Sequence, residues 1–177
     1  MSHSGYIPKH EVDHSIAIII KNNIMKLADK DGIIREKARK KLVKIGAPVI
    51  DFLAEMETHP KDVARWEAVK ALSEIRDPIA TPLLVNALED KDGDVRWLAA
   101  EGLAALGKKG VKAVLEAMLT FPDTILLRKG AHHVLARFAE TSKEPIIGEL
   151  LQILNDPDAD LKMPLAVRPY LEQFNVN

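Results

Sequence analysis

Residues 88–106 read LEDKDGDVRWLAAEGLAAL, and the fold follows from how that stretch is spaced. Val95, Ala99, Leu103 and Leu106 stand at i, i+4, i+8 and i+11, which places them on one stripe of an α-helix. The same skeleton recurs in IREKARKKLVKIG from Ile34, ARWEAVKALSEI from Ala64 and LRKGAHHVLARF from Leu127. Each copy has an arginine in its second place, Arg35, Arg65, Arg96 and Arg128, at intervals of 30, 31 and 32 residues. Three residues later comes an alanine (Ala38, Ala68, Ala99, Ala131), seven later a leucine (Leu42, Leu72, Leu103, Leu135), and ten later Ile45, Ile75, Leu106 or Phe138. Four matching columns in four copies mark a structural repeat. The small alanine admits a neighbouring helix, and the leucine fills the space further along.

Second helices are expected between these segments, over about 47–57, 80–89, 110–120 and 145–155. Pro48, Pro82 and Pro145 sit near their starts, where a missing N–H costs little, and Thr81 is placed to cap. Gly46 and Gly107 fit as terminators of the preceding helices. No alternating period-2 run suggests a strand. Residues 11–28 add a helix with Ile16, Ile20, Ile24 and Leu27 on one stripe, while Pro164 and Pro169 are expected to kink or break the last helix. The expected fold is all-α, a solenoid of about five stacked antiparallel helix pairs, because one pair alone cannot bury its apolar face. Residues 1–10 read as a flexible N-terminal segment, and 11–177 as a single solenoid domain with an irregular C-terminal cap.

Composition narrows the function. Apolar residues make up 47 % and charged residues 29 %, the balance of a globular protein rather than a disordered one. A net charge of −1 gives no overall field toward nucleic acid or an anionic membrane, so such affinity would need a local patch. The lack of cysteine excludes disulfides and cysteine-based metal or nucleophile chemistry and fits a reducing compartment. No apolar run approaches the length of a membrane span, and the expected location is the cytoplasm.

The arginine column resembles the HEAT repeat, in the short, regular form found in phycobilin lyases. That resemblance implies an aspartate six residues before each arginine, in the turn between helices, building an Asp–Arg ladder between repeats. Asp29 and Asp90 stand six before Arg35 and Arg96; Asp156 stands six before Lys162, with lysine replacing arginine. His59 before Arg65 and Pro122 before Arg128 depart from the pattern, so the ladder of Asp29, Arg35, Arg65, Asp90, Arg96 and Arg128 is expected to be interrupted there. The resemblance also implies that the arginine-bearing helix lines a concave groove. On the wheel, Trp97 and Glu101 point away from the packing stripe, as do Lys40 and Lys44, Trp66 and Lys70, and Lys129, His133 and Arg137, with Lys37 alongside. Trp66 and Trp97 share one register, so their indoles are expected close together, either as a binding surface or packed flat across the neighbouring inner helix.

HEVDH at residues 10–14 fits the H-E-x-x-H pattern of zinc proteases. The pattern requires both histidines on one helical turn and a third ligand. Asp13 is a natural N-cap, which leaves His10 outside the helix, unless Pro8 opens it. His132 and His133 lie three repeats away, roughly 30 Å at about 10 Å per repeat. No third-ligand motif follows, so no metal site is assigned; His3, His10 and His14 offer adventitious nickel or zinc ligands. Deoxyhypusine hydroxylase resembles this architecture and holds iron on several His-Glu pairs, but His10-Glu11 is the one such dipeptide here. No catalytic residue and no cofactor are assigned. The leading expectation is a non-enzymatic scaffold binding a protein or peptide in its groove. The alternatives are nucleic-acid or polyanion binding through Lys37, Lys40, Lys44, Lys70, Lys129 and Arg137 with the tryptophans, as in HEAT-like DNA glycosylases, and a bilin-lyase-like enzyme or subunit.

Overall fold

The computed structural model describes residues 8–120 and 124–174, with side chains up to Glu172 and excepting that of His10. A 3-10 turn at Lys9–Glu11 leads into α1 (His14–Lys26) and α2 (Gly32–Ile45). Then come α3 (Ile50–Leu53), α4 (Asp62–Ile75), α5 (Thr81–Ala87), α6 (Gly93–Ala105), α7 (Lys108–Thr120), α8 (Ile125–Ala139), α9 (Pro145–Leu154) and α10 (Ala159–Phe174). The described residues contain no strand. Helices α2, α4, α6 and α8, which hold the arginine column, pack one on the next as a single layer. In the second layer α1 meets α3, and α5 meets α7. The chain is an all-α solenoid.

Local chemistry explains where the helices start and stop. Asp13 accepts from the N–H groups of Ser15 and Ile16, Asp31 from Ile33, Asp92 from Asp94 and Val95, and Thr124 from Leu127. Each such cap satisfies donors that have no partner inside the helix. Gly46 and Gly107 stand at φ +81° and +60° beyond α2 and α6, the left-handed turn that glycine enters without steric cost. Arg76 ends α4 in the same region at φ 55°, and no glycine there signals it in the sequence. Thr81 is not a cap: it is the first residue of α5, and Asp77 accepts the Ile79 N–H at the start of the preceding 3-10 turn. The helix expected over 47–57 is divided, with α3 flanked by 3-10 turns at Ala47–Val49 and Ala54–Met56.

The repeat columns form the core. Ala38, Ala68, Ala99 and Ala131 are buried, as are Leu42, Leu72, Leu103 and Leu135. Close approach at Gly110 shows why the layers tolerate no extra atom there. A Cβ on Gly110 would lie 1.8 Å from the Leu103 carbonyl oxygen. On α1, Ile20, Ile24 and Leu27 are buried, but Ile16 is 41 % exposed.

The C-terminal end departs from the regular stack. α10 runs continuously through Pro164 and Pro169. The carbonyls that these prolines leave without a donor belong to Asp160 and Leu165, both exposed, so water can satisfy them. α10 packs on α9 and α7. Tyr170 donates to Glu144 Oε2 at 2.7 Å, and Lys108 Nζ lies 2.6 Å from Glu144 Oε1. The Glu144 carboxyl is held below its ordinary range first by Lys108 and then by Tyr170, against the effect of burial. This cluster joins the starts of α7 and α9 to α10.

Candidate functional site

The arginine column does two jobs at once. Arg35, Arg65 and Arg96 donate Nη1 to the carbonyl six residues back, at Asp29 (2.9 Å), His59 (2.7 Å) and Asp90 (2.6 Å). That contact uses the backbone, so His59 serves as well as aspartate does. The remaining edge of the guanidinium reaches the next repeat. Arg65 donates Nε and Nη2 to Asp90 at 2.7 and 2.9 Å, and Nη2 also to Asp62 at 2.6 Å. Arg35 donates Nε to Glu67 at 3.3 Å, and Arg39 donates to the same carboxylate at 2.5 Å. The missing aspartate at 59 therefore does not break the ladder, since Glu67 supplies the charge from the following helix. Asp29 itself accepts the Asp31 N–H at 2.8 Å and meets no arginine side chain among the described residues. Arg128 stands in the first turn of α8, and Pro122 lies outside the described residues.

Arg65, at 3 % exposed, and Glu67, at 4 %, are buried ions with partners, the condition under which buried charge is tolerated. Two arginines surround Glu67. Burial raises the Asp90 carboxyl, but the Arg65 guanidinium and the Asp92 N–H outweigh it and hold that group below the ordinary range. These are structural ion pairs.

The proposed partner-binding strip runs along the same layer: Lys40 and Lys44 on α2, Trp66 and Lys70 on α4, Trp97 and Glu101 on α6, and Lys129, His133 and Arg137 on α8. The two indoles, which share a register, meet different partners. Trp66 is half-buried, with the Arg39 guanidinium 6.0 Å from its ring centre. Trp97 is 57 % exposed and meets His133 edge-on, with centroids 6.3 Å apart. His133 Nε2 is hydrogen-bonded to Glu101 at 2.6 Å, and Arg137 donates Nε to the same oxygen at 3.1 Å. Sequence reasoning placed Trp97, Glu101, His133 and Arg137 on one face, and the structure brings them into one connected cluster.

The basic residues do not make a continuous positive track. Lys40 pairs with Glu36 at 2.6 Å, Lys70 lies 3.9 Å from Glu74, and Arg137 pairs with Glu101 and Glu140. Three of the six cations named for polyanion binding thus stand beside carboxylates of this chain. Lys37, which flanks this strip, is exposed on α2. It occupies the register of Glu67, Leu98 and Gly130, positions that face the preceding repeat. Its neighbour Lys41 holds the register of Ala71, Gly102 and Val134, all buried. On α2 both lysines are exposed, with no helix of the described residues packed over them from an earlier repeat.

HEVDH divides between two elements. His10 lies in the 3-10 turn, Asp13 caps, and His14 opens α1. The turn is docked: the Lys9 N–H donates to Asp51 at 3.2 Å, and its Nζ lies 5.0 Å from the Phe52 ring centre. His3 lies outside the described residues. Among the described residues no three histidine or acidic groups are placed to hold a metal ion. None of the helices described is long and apolar enough to cross a membrane.

A surface pocket of about 210 Å³ opens beside Trp97, between α6 and α8. Arg96, Lys129 and His133 bring polar groups to it, and Leu88, Ala100 and Leu126 bring apolar ones. The exposure of Trp97 cannot be read from its register, because Trp66 shares that register and is half-buried.

Comparison with known proteins agrees with this architecture. The sequence matches the family model of HEAT repeats over residues 21–95, 50–136 and 81–166, and the chain belongs to that family. None of the curated proteins matches it in sequence. A similar solved structure is the complex of CpcE and CpcF of phycocyanin lyase from Nostoc sp. PCC7120. The match has a TM-score of 0.56 at 21 % identity and covers 84 % of this chain and 98 % of that one. At that identity the likeness is one of fold.

Proposed function

We propose that this HEAT-repeat chain is a non-enzymatic interaction scaffold that takes a protein or peptide segment along the layer of α2, α4, α6 and α8. The observation that carries this reading is Trp97, a large aromatic left 57 % exposed beside a pocket. Tryptophan is enriched at the energetic centres of interfaces, where a partner covers it. Around it, Glu101, His133 and Arg137 form a polar, hydrogen-bonded margin, the pattern of an apolar anchor within a polar rim. Trp66, Lys40, Lys44, Lys70 and Lys129 extend the surface on either side. Lys37 stands at the α2 end of that surface. The similar solved structure is itself a complex of two proteins, which supports a protein partner.

The test is affinity capture with the full chain and with Trp97→Ala, with and without nuclease. A stoichiometric protein partner that is lost on Trp97→Ala and indifferent to nuclease is the expected result. Unchanged capture by a folded Trp97→Ala variant refutes the placement. The same fold match favours a second reading, a subunit of a lyase-type enzyme acting on a tetrapyrrole. That reading fails if a bilin neither binds the chain nor is transferred to an acceptor protein in its presence.

A further inference from the structure

In the arginine column, Arg96 has an outer edge that no carboxylate of the described residues occupies. The carboxylates that serve Arg35 and Arg65 come from three register positions: three before the arginine itself (Asp62), six before the next arginine (Asp90), and two after it (Glu67). For Arg96 those positions are Gly93, Pro122 and Gly130. None of the three residue types has a carboxylate to offer. Among the described residues, the recorded hydrogen bonds of the Arg96 guanidinium are those from Nη1 to the carbonyls of Asp90 and Lys91. Four carboxylates of the same turn and helix are engaged elsewhere. Asp90 is held by Arg65, Asp92 caps α6, Glu89 is bonded to Thr124, and Glu101 is shared by His133 and Arg137.

The pocket of about 210 Å³ lies at this vacancy, and Gly93, Arg96 and Gly130 are all part of its lining. The glycines keep it open. A Cβ on Gly93 would stand 3.5 Å from Arg96 Nη2, and one on Gly130 would press on Leu88 at 2.9 Å. Lys129, exposed and without an ion pair among the described residues, adds a second cation at the rim, and Trp97 supplies an aromatic wall. In the two preceding repeats the equivalent guanidinium edge, on Arg35 and Arg65, is occupied by a carboxylate from within the chain. On Arg96 no carboxylate of the described residues takes that place, which is cationic and borders the pocket.

We infer that the pocket is a carboxylate-binding subsite. It takes an acidic side chain of a docked peptide on Arg96, with Lys129 beside it and an apolar or aromatic residue of the same peptide against Trp97. Arg96 presents a planar fork that matches a carboxylate in two parallel hydrogen bonds. The inference rests on the peptide-scaffold reading and names the chemistry of the segment that the scaffold selects, an acidic residue next to an apolar one.

The full chain is immobilised and exposed to two amide-capped octapeptide libraries. One carries a fixed glutamate followed by a varied apolar residue; the other carries glutamine in place of the glutamate. The glutamate library is expected to yield binders at least about tenfold tighter than their glutamine counterparts, the usual scale for a charge-assisted pair. Arg96→Gln should abolish that difference. Because Arg96 also holds a turn, Lys129→Glu is the second variant; it changes only an exposed side chain and should reduce the preference severalfold with the melting temperature unchanged. Equal binding of both libraries, lost on Trp97→Ala, overturns the carboxylate subsite and leaves the groove standing. Glutamate-dependent binding that survives Trp97→Ala supports the subsite and removes Trp97 as the anchor. No binding from either library overturns both.

Discussion

Replacing Asp90 by alanine should cost far more stability than replacing Asp29, although both stand six residues before a ladder arginine. Asp90 accepts two bonds from Arg65, at 2.7 and 2.9 Å, and the Arg65 side chain is almost wholly buried. Removing one partner of a buried ion pair costs about 3–5 kcal/mol, because the other charge stays desolvated. Arg65 keeps Asp62 and the His59 carbonyl, so the lower end applies, about 3 kcal/mol. The Asp29 carboxylate accepts the Asp31 N–H at 2.8 Å, and one such bond is worth about 0.5–1.5 kcal/mol. A gap near 2 kcal/mol corresponds to about 4–8 °C in melting temperature for a chain of this length. Urea titration of the wild type, Asp90→Ala and Asp29→Ala, read as midpoint shifts at constant slope, measures it. The acid limb gives an independent check. The folded Asp90 carboxyl titrates below its unfolded value, so its contribution is complete above the unfolded pKa, about 3.9, and is lost as pH falls through the lower folded value. The gap between wild type and Asp90→Ala should therefore close below about pH 4. Equal losses in the two variants, or a gap that persists in acid, would refute the assignment of the buried charge pair to Asp90.

Two glycines should respond in opposite directions. Gly110→Ala forces a Cβ against the Leu103 backbone and should destabilise by about 2 kcal/mol or more, whereas Gly148→Ala in α9 meets nothing within 4 Å and should stabilise by about 0.5–1 kcal/mol, both read from thermal melts. Acrylamide should quench Trp97 more strongly than Trp66, measured on the single-tryptophan variants Trp66→Phe and Trp97→Phe; equal quenching would contradict the unequal exposure of the two indoles.

Much of the architecture is legible in the sequence because its determinants are local. An apolar stripe at helical spacing, aspartate and threonine caps, and glycine at a left-handed turn act within a few residues of chain. The repeat then implies stacking, since no single pair buries its stripe. Arg76 escaped this reading because a left-handed non-glycine residue has no compositional mark, and α10 escaped it because the proline rule ignores whether the freed carbonyls face water.

The sequence by itself determined the helix pairs, their order and the register of the arginine column, for these depend on periodicity along the chain. Only the tertiary structure decided which carboxylate each arginine meets. Glu67 replaces the aspartate absent at 59, and the Asp90 carboxylate closes on Arg65 while its own repeat's Arg96 takes only the Asp90 carbonyl. Tertiary packing also separated two tryptophans of identical register, placing one beneath Arg39 and leaving the other open beside a pocket. Such pairings depend on distances across helices about 30 residues apart in sequence, where register gives the candidates and packing selects among them.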